Sequence, residues 1–336
     1  MSGKILLKIL KNLAFLLIGI ALLYLAFQGQ DIDQLIDDLK GANYTYVGFS
    51  VIFGFAAYWS RAARWLILLE PMGYKPRLSS SIYSIIVGYF ANLAIPRIGE
   101  ITRCTVMNQA EDIPVDKLFG TVILERIIDL IMLLSFTLIT ILLKVDQFGG
   151  FFMDLIRLNK DKYPVLVNIL IVFVVVGTIG LVLLYLMRSR LHNIPFANKI
   201  RTFFLGIKEG LGSIRKIKNR KGFYLHTLFI WLCYYLMTWI VFYSFEETSH
   251  LGLVDGFFIL VVGGFGMAAP VQGGIGAYHF LVSLGMGVIG VSSVPALSYA
   301  TIVHTSQTIS VLVVGSISLG MLYLNKKKRP IKKSTI

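Results

Sequence analysis

Tyr89-Phe90-Ala91-Asn92-Leu93-Ala94-Ile95-Pro96-Arg97-Ile98-Gly99-Glu100 reads as an apolar helix stopped by Pro96 and followed at once by charged residues that lipid excludes. A second stretch has the same form: Gly263-Gly264-Phe265-Gly266-Met267-Ala268-Ala269-Pro270-Val271-Gln272-Gly273-Gly274-Ile275-Gly276-Ala277-Tyr278-His279. The two breaks occupy corresponding places in the two halves of the chain. Paired Pro/Gly interruptions of this kind point to a binding site in a transporter built from internal repeats.

The composition around the breaks is that of a membrane protein. Of 336 residues, 56% are hydrophobic and only 15% charged, and the mean hydropathy is +0.74. Residues 9–27, 44–69, 119–143, 164–187, 223–245 and 297–324 each supply the roughly 20 residues that a spanning helix requires. Residues 82–95 and 256–269 run for only about 14 before their proline, a length suited to a re-entrant half-helix. Lys4, Lys8 and Lys11 precede the first apolar run, but no small-residue cleavage site follows Phe27, so the run reads as an uncleaved span. Two cysteines, Cys104 and Cys233, allow no disulfide framework and no Cys-based metal site.

Charge sets the expected topology. Ten Lys and Arg lie between positions 188 and 222 against the single Glu209, so this loop belongs in the cytoplasm, as do Lys326 to Lys328, Arg329, Lys332 and Lys333. Asp31, Asp33, Asp37 and Asp38, and then Glu246, Glu247 and Asp255, mark outside loops. If residues 82–95 crossed completely, the ten-cation loop would lie outside, so this segment has to return to its own side. By the same count residues 256–289 enter and leave from outside, either as a re-entrant pair or as two crossings. The expected fold is an all-α polytopic membrane protein of two inverted-topology repeats, each with a broken re-entrant segment. It forms one domain over 1–336, with repeats at 9–143 and 164–324, a basic cytoplasmic tail at 325–336, and both termini inside. Residues 196–217 have helical apolar periodicity with cations opposite, as in an amphipathic helix on the inner leaflet or an ordinary positive-inside loop.

Polar residues inside these apolar segments are the candidate site. Glu125, Arg126 and Asp129 share one span, with Glu125 and Asp129 four residues apart on one face. They suit either a helix-holding Glu–Arg clamp or a polar cavity. Arg97, Glu100 and Arg103 recur at three-residue steps along one side of a second half-helix, and the arginines present planar donors to a phosphate. Gln272, Gly273, Gly274 and Gly276 precede the helix of Tyr278 and His279, whose start favours an anion; close helix crossing is the competing use of these glycines. Arg61, Arg64 and Trp65 read as interfacial anchors, with Arg64 also able to reach a lipid phosphate. His304, with Gln307, is a packing residue or a proton-coupling group. The chain has no GxxxxGK[ST] loop, HExxH site or GxSxG elbow, so ATP-driven transport by this chain alone is excluded and no cofactor or metal is expected.

Pro96-Arg97-Ile98-Gly99-Glu100 with Arg103, Glu125-Arg126 with Asp129, and Pro270 with Gly273-Gly274-Ile275-Gly276 together resemble the flippase-like transmembrane region of the lysylphosphatidylglycerol synthase family. The resemblance covers roughly residues 9–324. It implies a two-repeat fold with re-entrant helices that moves phospholipid or lipid-linked headgroups between leaflets. Relatives that modify lipids carry a cytosolic aminoacyl-transfer domain after this region, and this chain stops at Ile336, so aminoacyl-lipid synthesis is not expected. Many relatives have an acidic residue where this chain has His279.

The residues therefore point first to a lipid translocase of the cell inner (plasma) membrane. Its expected site comprises Arg64, Arg97, Glu100, Arg103, Glu125, Arg126, Asp129, Gln272, Gly273, Gly274, Gly276, His279 and His304. A membrane enzyme acting on a lipid headgroup, with Glu125, Asp129, His279 or His304 as acid–base groups, and an envelope scaffold are the alternatives. The partners expected are membrane phospholipids or a lipid-linked substrate, and anionic inner-leaflet lipids, with no nucleic acid; the sequence does not set an oligomeric state.

Overall fold

The computed structural model describes residues 3–143 and 217–327, with positions 145 and 149, and side chains from Asn12 to Leu324 within these limits. The span at 164–187, the amphipathic segment at 196–217, most of the ten-cation loop and most of the basic tail lie outside the described residues. Described residues up to Leu143 and from Ile217 onward form one compact unit, and among them the regular structure is helical throughout.

Asp31 accepts from the Gln34 amide and starts a helix at Ile32–Gly41 (α2) directly after Gly3–Phe27 (α1); the two meet at 89°. The acidic stretch expected as a loop is thus a short helix. Its Leu35 packs with Ala26, Val294 and Leu297, while Ile32 and Ile36 stay exposed. Asn43 caps the next helix, Tyr44–Leu69 (α3). Leu78–Ala94 (α4), Gly99–Glu111 (α5) and Val115–Leu143 (α6) complete the first half. The second half has Arg220–Trp239 (α7), Leu253–Ala268 (α8), Ala277–Val288 (α9) and Ser293–Lys327 (α10).

Among the described residues, Val115–Leu143, Arg220–Ser244 and Ser293–Leu324 are long and apolar enough to cross a membrane, or four segments if the α1–α2 pair is one bent span. Helix α3 has the length of a span, 26 residues, but its apolar character is diluted by Arg61 and Arg64, which are buried among polar partners. The short apolar helices are α4 and α8, the two predicted from their prolines.

Each proline acts on the residue before it. Ile95 (φ −136°, ψ 123°) and Ala269 (φ −57°, ψ 144°) leave the helical region ahead of Pro96 and Pro270, ending α4 and α8. The chain then doubles back. A Cβ built on Gly99 would stand 2.2 Å from the Gly88 carbonyl oxygen, so α4 and α5 touch backbone to backbone. Asn92 on α4 accepts from the Gly99 amide at 2.7 Å and satisfies a free N–H at the start of α5. In the second hairpin, Gly263 and Gly266 of α8 receive Tyr278 of α9, and Gly285 of α9 receives Val262 and Ile259. Small residues at such contacts suit helices in lipid, where close packing supplies most of the association energy.

The halves pack reciprocally. Phe90 on the first broken helix fills the space at Gly315 of α10, the last helix of the second half; Leu133 on α6, the last helix of the first half, fills the space at Gly264 of α8. Helices α3 and α7 run antiparallel side by side, joined by Ser50 donating to the Met237 carbonyl at 2.9 Å and by the Ser60 hydroxyl 2.8 Å from His226 Nδ1. Apolar clusters cover this frame on two sides. One gathers Trp65, Leu69, Ile85, Met107 and Leu118, and the other Ile230, Trp231, Tyr235 and Leu260.

Candidate functional site

Five charged side chains meet inside the first half. Arg103 of α5 pairs with Glu125 of α6, and Arg64 of α3 lies 3.8 Å from the same carboxylate. Arg64 also pairs with Asp129 at 2.9 Å, and Arg61 does so at 2.5 Å. Arg61, Arg64, Arg103 and Glu125 are all at most 5% exposed. The guanidinium of Arg103 also sits 4.7 Å from the Trp65 ring, whose N–H donates to Thr121 at 2.8 Å. Arg61 donates to the Tyr234 hydroxyl at 2.8 Å and Arg64 to Thr227 at 3.2 Å, so α7 closes the cluster from the far side.

These contacts correct the reading of Arg61 and Arg64 as interfacial anchors. Both lie well inside α3 and point into protein rather than toward headgroups at its end. Arg61 was missing from the expected site, although a signal existed: Trp65 to Leu69 continue the apolar run for more than a turn beyond the two arginines. Arg126 is the outlying member, 43% exposed and 3.9 Å from Asp129.

Three buried guanidinium groups face two carboxylates, leaving one positive charge uncompensated. The Nε–H groups of Arg61, Arg64 and Arg103 are buried without a hydrogen-bond partner, as is Oε1 of Glu125. The unpartnered N–H groups are costly in a low dielectric unless an acceptor, best an anionic one, meets them.

Arg97 belongs to the other polar region. It lies in the turn before α5 rather than on that helix, correcting the expected three-residue stripe; only Glu100 and Arg103 share the half-helix. Its backbone is left-handed (φ 61°), a conformation uncommon outside glycine. From there its exposed guanidinium donates to the Ala268 carbonyl at 2.8 Å, joining the first break to the second. Glu125 is held by Arg103 and Arg64, so the grouping of Arg97 with Glu125 is replaced by two clusters. Glu100 Oε2 is buried without a partner.

Across from Arg97, Gly273 (φ 57°), Gly274 (φ 79°) and Gly276 (φ 80°) turn the chain into α9. Gly273 packs on Leu93 of α4, and Gln272 reaches the Asn12 carbonyl at 3.4 Å. At Gly276 a Cβ would fall 2.0 Å from the Gly19 carbonyl oxygen of α1, so this glycine serves close helix approach. His304 Nε2 lies 2.8 Å from the Gly273 carbonyl and its ring 4.7 Å from that of His279. The structure thus brings Arg64, Arg103, Glu125, Arg126 and Asp129 into one cluster, and Arg97, Gln272, Gly273, Gly274, His279 and His304 into another.

The model of the lysylphosphatidylglycerol synthase TM region matches residues 12–315, spanning both clusters and both breaks. The chain belongs to that family. It is also 23% identical, over 296 residues, to the UPF0104 membrane protein MJ1595 of Methanocaldococcus jannaschii, an alignment covering 79% of this chain and 84% of the relative. No solved structure matches it. Family membership agrees with the membrane architecture and with the transmembrane-region resemblance read from the Pro96, Glu125 and Gly273 motifs.

Proposed function

We propose that this chain moves a phospholipid or lipid-linked anionic headgroup between the leaflets of the cell membrane, without chemical change to it. The observation that carries this reading is the uncompensated buried charge: three guanidinium groups on two carboxylates, each guanidinium with a donor unspent. A phosphate supplies both the missing charge and the missing acceptors. Arg97, exposed where the breaks meet, is the guanidinium a headgroup reaches first. Membership in the lysylphosphatidylglycerol synthase TM region adds support.

The two hairpins are the moving parts in this reading. The reciprocal packing of Phe90 on Gly315 and Leu133 on Gly264 supports an inverted repeat, and the touching backbones of α4 and α5 support a re-entrant hairpin that returns to the cytoplasmic side with both termini. Irregular backbone in a bilayer has to be covered by protein or to line a water-filled cavity, and the exposure of Arg97, Ala268 and Pro270 at the breaks supports the second arrangement.

Vesicles reconstituted with the protein and a headgroup-labelled anionic phospholipid test the reading, through loss of label fluorescence to a quencher added outside. The protein should speed exposure of inner-leaflet lipid. Arg97→Ala should abolish the gain and Arg97→Lys retain part of it, since the planar fork is lost. Rates equal to those of protein-free vesicles, or unchanged in folded Arg97→Ala, would overturn it.

A further inference from the structure

The lipid reading leaves two buried histidines unused, one in the second hairpin and one on the helix packed against it. The rings of His279 on α9 and His304 on α10 lie tilted at 57° to each other, with centroids 4.7 Å apart. The Gly273 carbonyl 2.8 Å from His304 Nε2 can only accept, so Nε2 carries the hydrogen; Nδ1 of the neutral ring then accepts, facing the Thr308 hydroxyl at 3.5 Å. His304 therefore holds the second break against α10. His279 Nδ1 is buried with no partner.

The surroundings offer no counter-ion. Tyr278 on α9 lies 5.5 Å from the His304 ring, and the hydroxyl of Tyr299 on α10 is spent on the Thr238 carbonyl at 2.7 Å. Neighbours of α9 and of the turn before it on α1, α4 and α8 include Gly19, Leu93, Ile259, Val262, Gly263 and Met267, none of them charged. Among the described residues neither ring meets a carboxylate or a cation.

We propose that His279 and His304 form a one-proton site whose charging releases the second break from α10. A charged His304 would hold Gly273 by a stronger hydrogen bond, but one such bond returns less than the hydration an uncompensated buried cation forfeits. The charged pair therefore favours an arrangement in which the rings part and one reaches water. By linkage, an arrangement that exposes a ring takes up a proton. A second proton is refused while the rings remain close, because like charges would face each other at contact distance. Protons thereby act on the position of Gly273, and through the turn on Ala268, whose carbonyl Arg97 holds.

The intact protein in lipid nanodiscs, with nitrogen-15 histidine and carbon-13 glycine carbonyls, tests this by magnetic resonance, His279→Gln and His304→Gln serving to assign the signals. Between pH 8 and pH 5 one ring of the pair should take up a proton, with the Gly273 carbonyl shifting along the same curve. Two neutral rings down to pH 5 with an unmoved Gly273 carbonyl, or two independent protonations, would overturn the proposal. Its use in transport rests on the lipid reading, and the vesicle assay separates the two. A histidine titration in a protein that moves no lipid at any pH removes the lipid reading alone. Lipid movement whose pH profile is the same in the intact protein and in folded His279→Gln/His304→Gln removes the proton site alone.

Discussion

Arg97 and Ala268 lie 171 positions apart, yet the guanidinium of the first donates to the carbonyl of the second at 2.8 Å. The left-handed backbone at Arg97 aims the side chain across the gap, and Pro270 leaves the carbonyl at the end of α8 free of its usual helical partner. Backbone strain of this kind, about 1–3 kcal/mol, persists where surrounding structure enforces it. Arg97→Gly should relax the backbone while removing the contact, so its melting temperature in detergent should exceed that of Arg97→Ala, with lipid movement lost in both.

Arg103 pairs with the Glu125 carboxylate inside protein, so removing Glu125 strands Arg103. Glu125→Leu alone should lower stability by about 3–5 kcal/mol, the usual cost of leaving a buried charge unpaired. The double change Arg103→Met/Glu125→Leu should recover most of that loss. Thermal unfolding of the three proteins in the same detergent checks this; equal loss in single and double variants would show that Arg103 does not depend on Glu125.

Glycine positions give a sharper contrast. Gly276→Ala combines a left-handed backbone with a Cβ 2.0 Å from the Gly19 carbonyl oxygen, so a loss of about 3 kcal/mol or more is expected. Gly287→Ala, inside α9 with nothing within 4 Å, should change stability by no more than about 1 kcal/mol, in the favourable direction. The same melting assay reads both.

At the far end of α5, burial would raise the Glu111 carboxyl, but the Ser80 hydroxyl and the Arg77 guanidinium at 3.0 Å override it and hold the group below its ordinary value of 4.5. A lowered carboxyl stabilises the fold fully above that ordinary value and loses its effect as pH falls through the folded value. The stability difference between the intact protein and Glu111→Gln should therefore be constant above about pH 5 and shrink toward pH 3. A difference that grows on acidification would reverse the assignment.

Topology is tested from the two ends of the first half. Thr105→Cys on α5 and Asp33→Cys on α2 are both exposed and should react with an impermeant thiol reagent from opposite sides of the membrane, Thr105→Cys from the cytoplasm. Labelling of both from one side would contradict the return of the first hairpin.

Among the described residues the apolar helices and the two breaks were legible because apolar run length and a proline act locally: Ile95 and Ala269 take the backbone that any residue before proline prefers. The charge cluster was only half legible. Glu125 and Asp129 declared themselves inside an apolar run, but the residue that Arg61 meets is 68 positions away on another helix, and nothing local distinguishes a buried arginine near a helix end from an anchor. The left-handed Arg97 was hidden for a related reason. Arginine carries no preference for that conformation, so only the geometry of the turn reveals it.

Where Gly88 and Gly99 bring the backbones of α4 and α5 together, no side chain stands between them to be rearranged. The two helices cannot slide without backbone collision, so any displacement of this hairpin has to move both as one rigid piece. Were it to swing, the pivots would be its outer ends, near Gly73 (φ 85°) before α4 and Asp112 (φ 56°) after α5, both in the left-handed region. A swing about these pivots carries Arg97 at the tip farthest of all, while Arg77 and Glu111 near the base stay almost still.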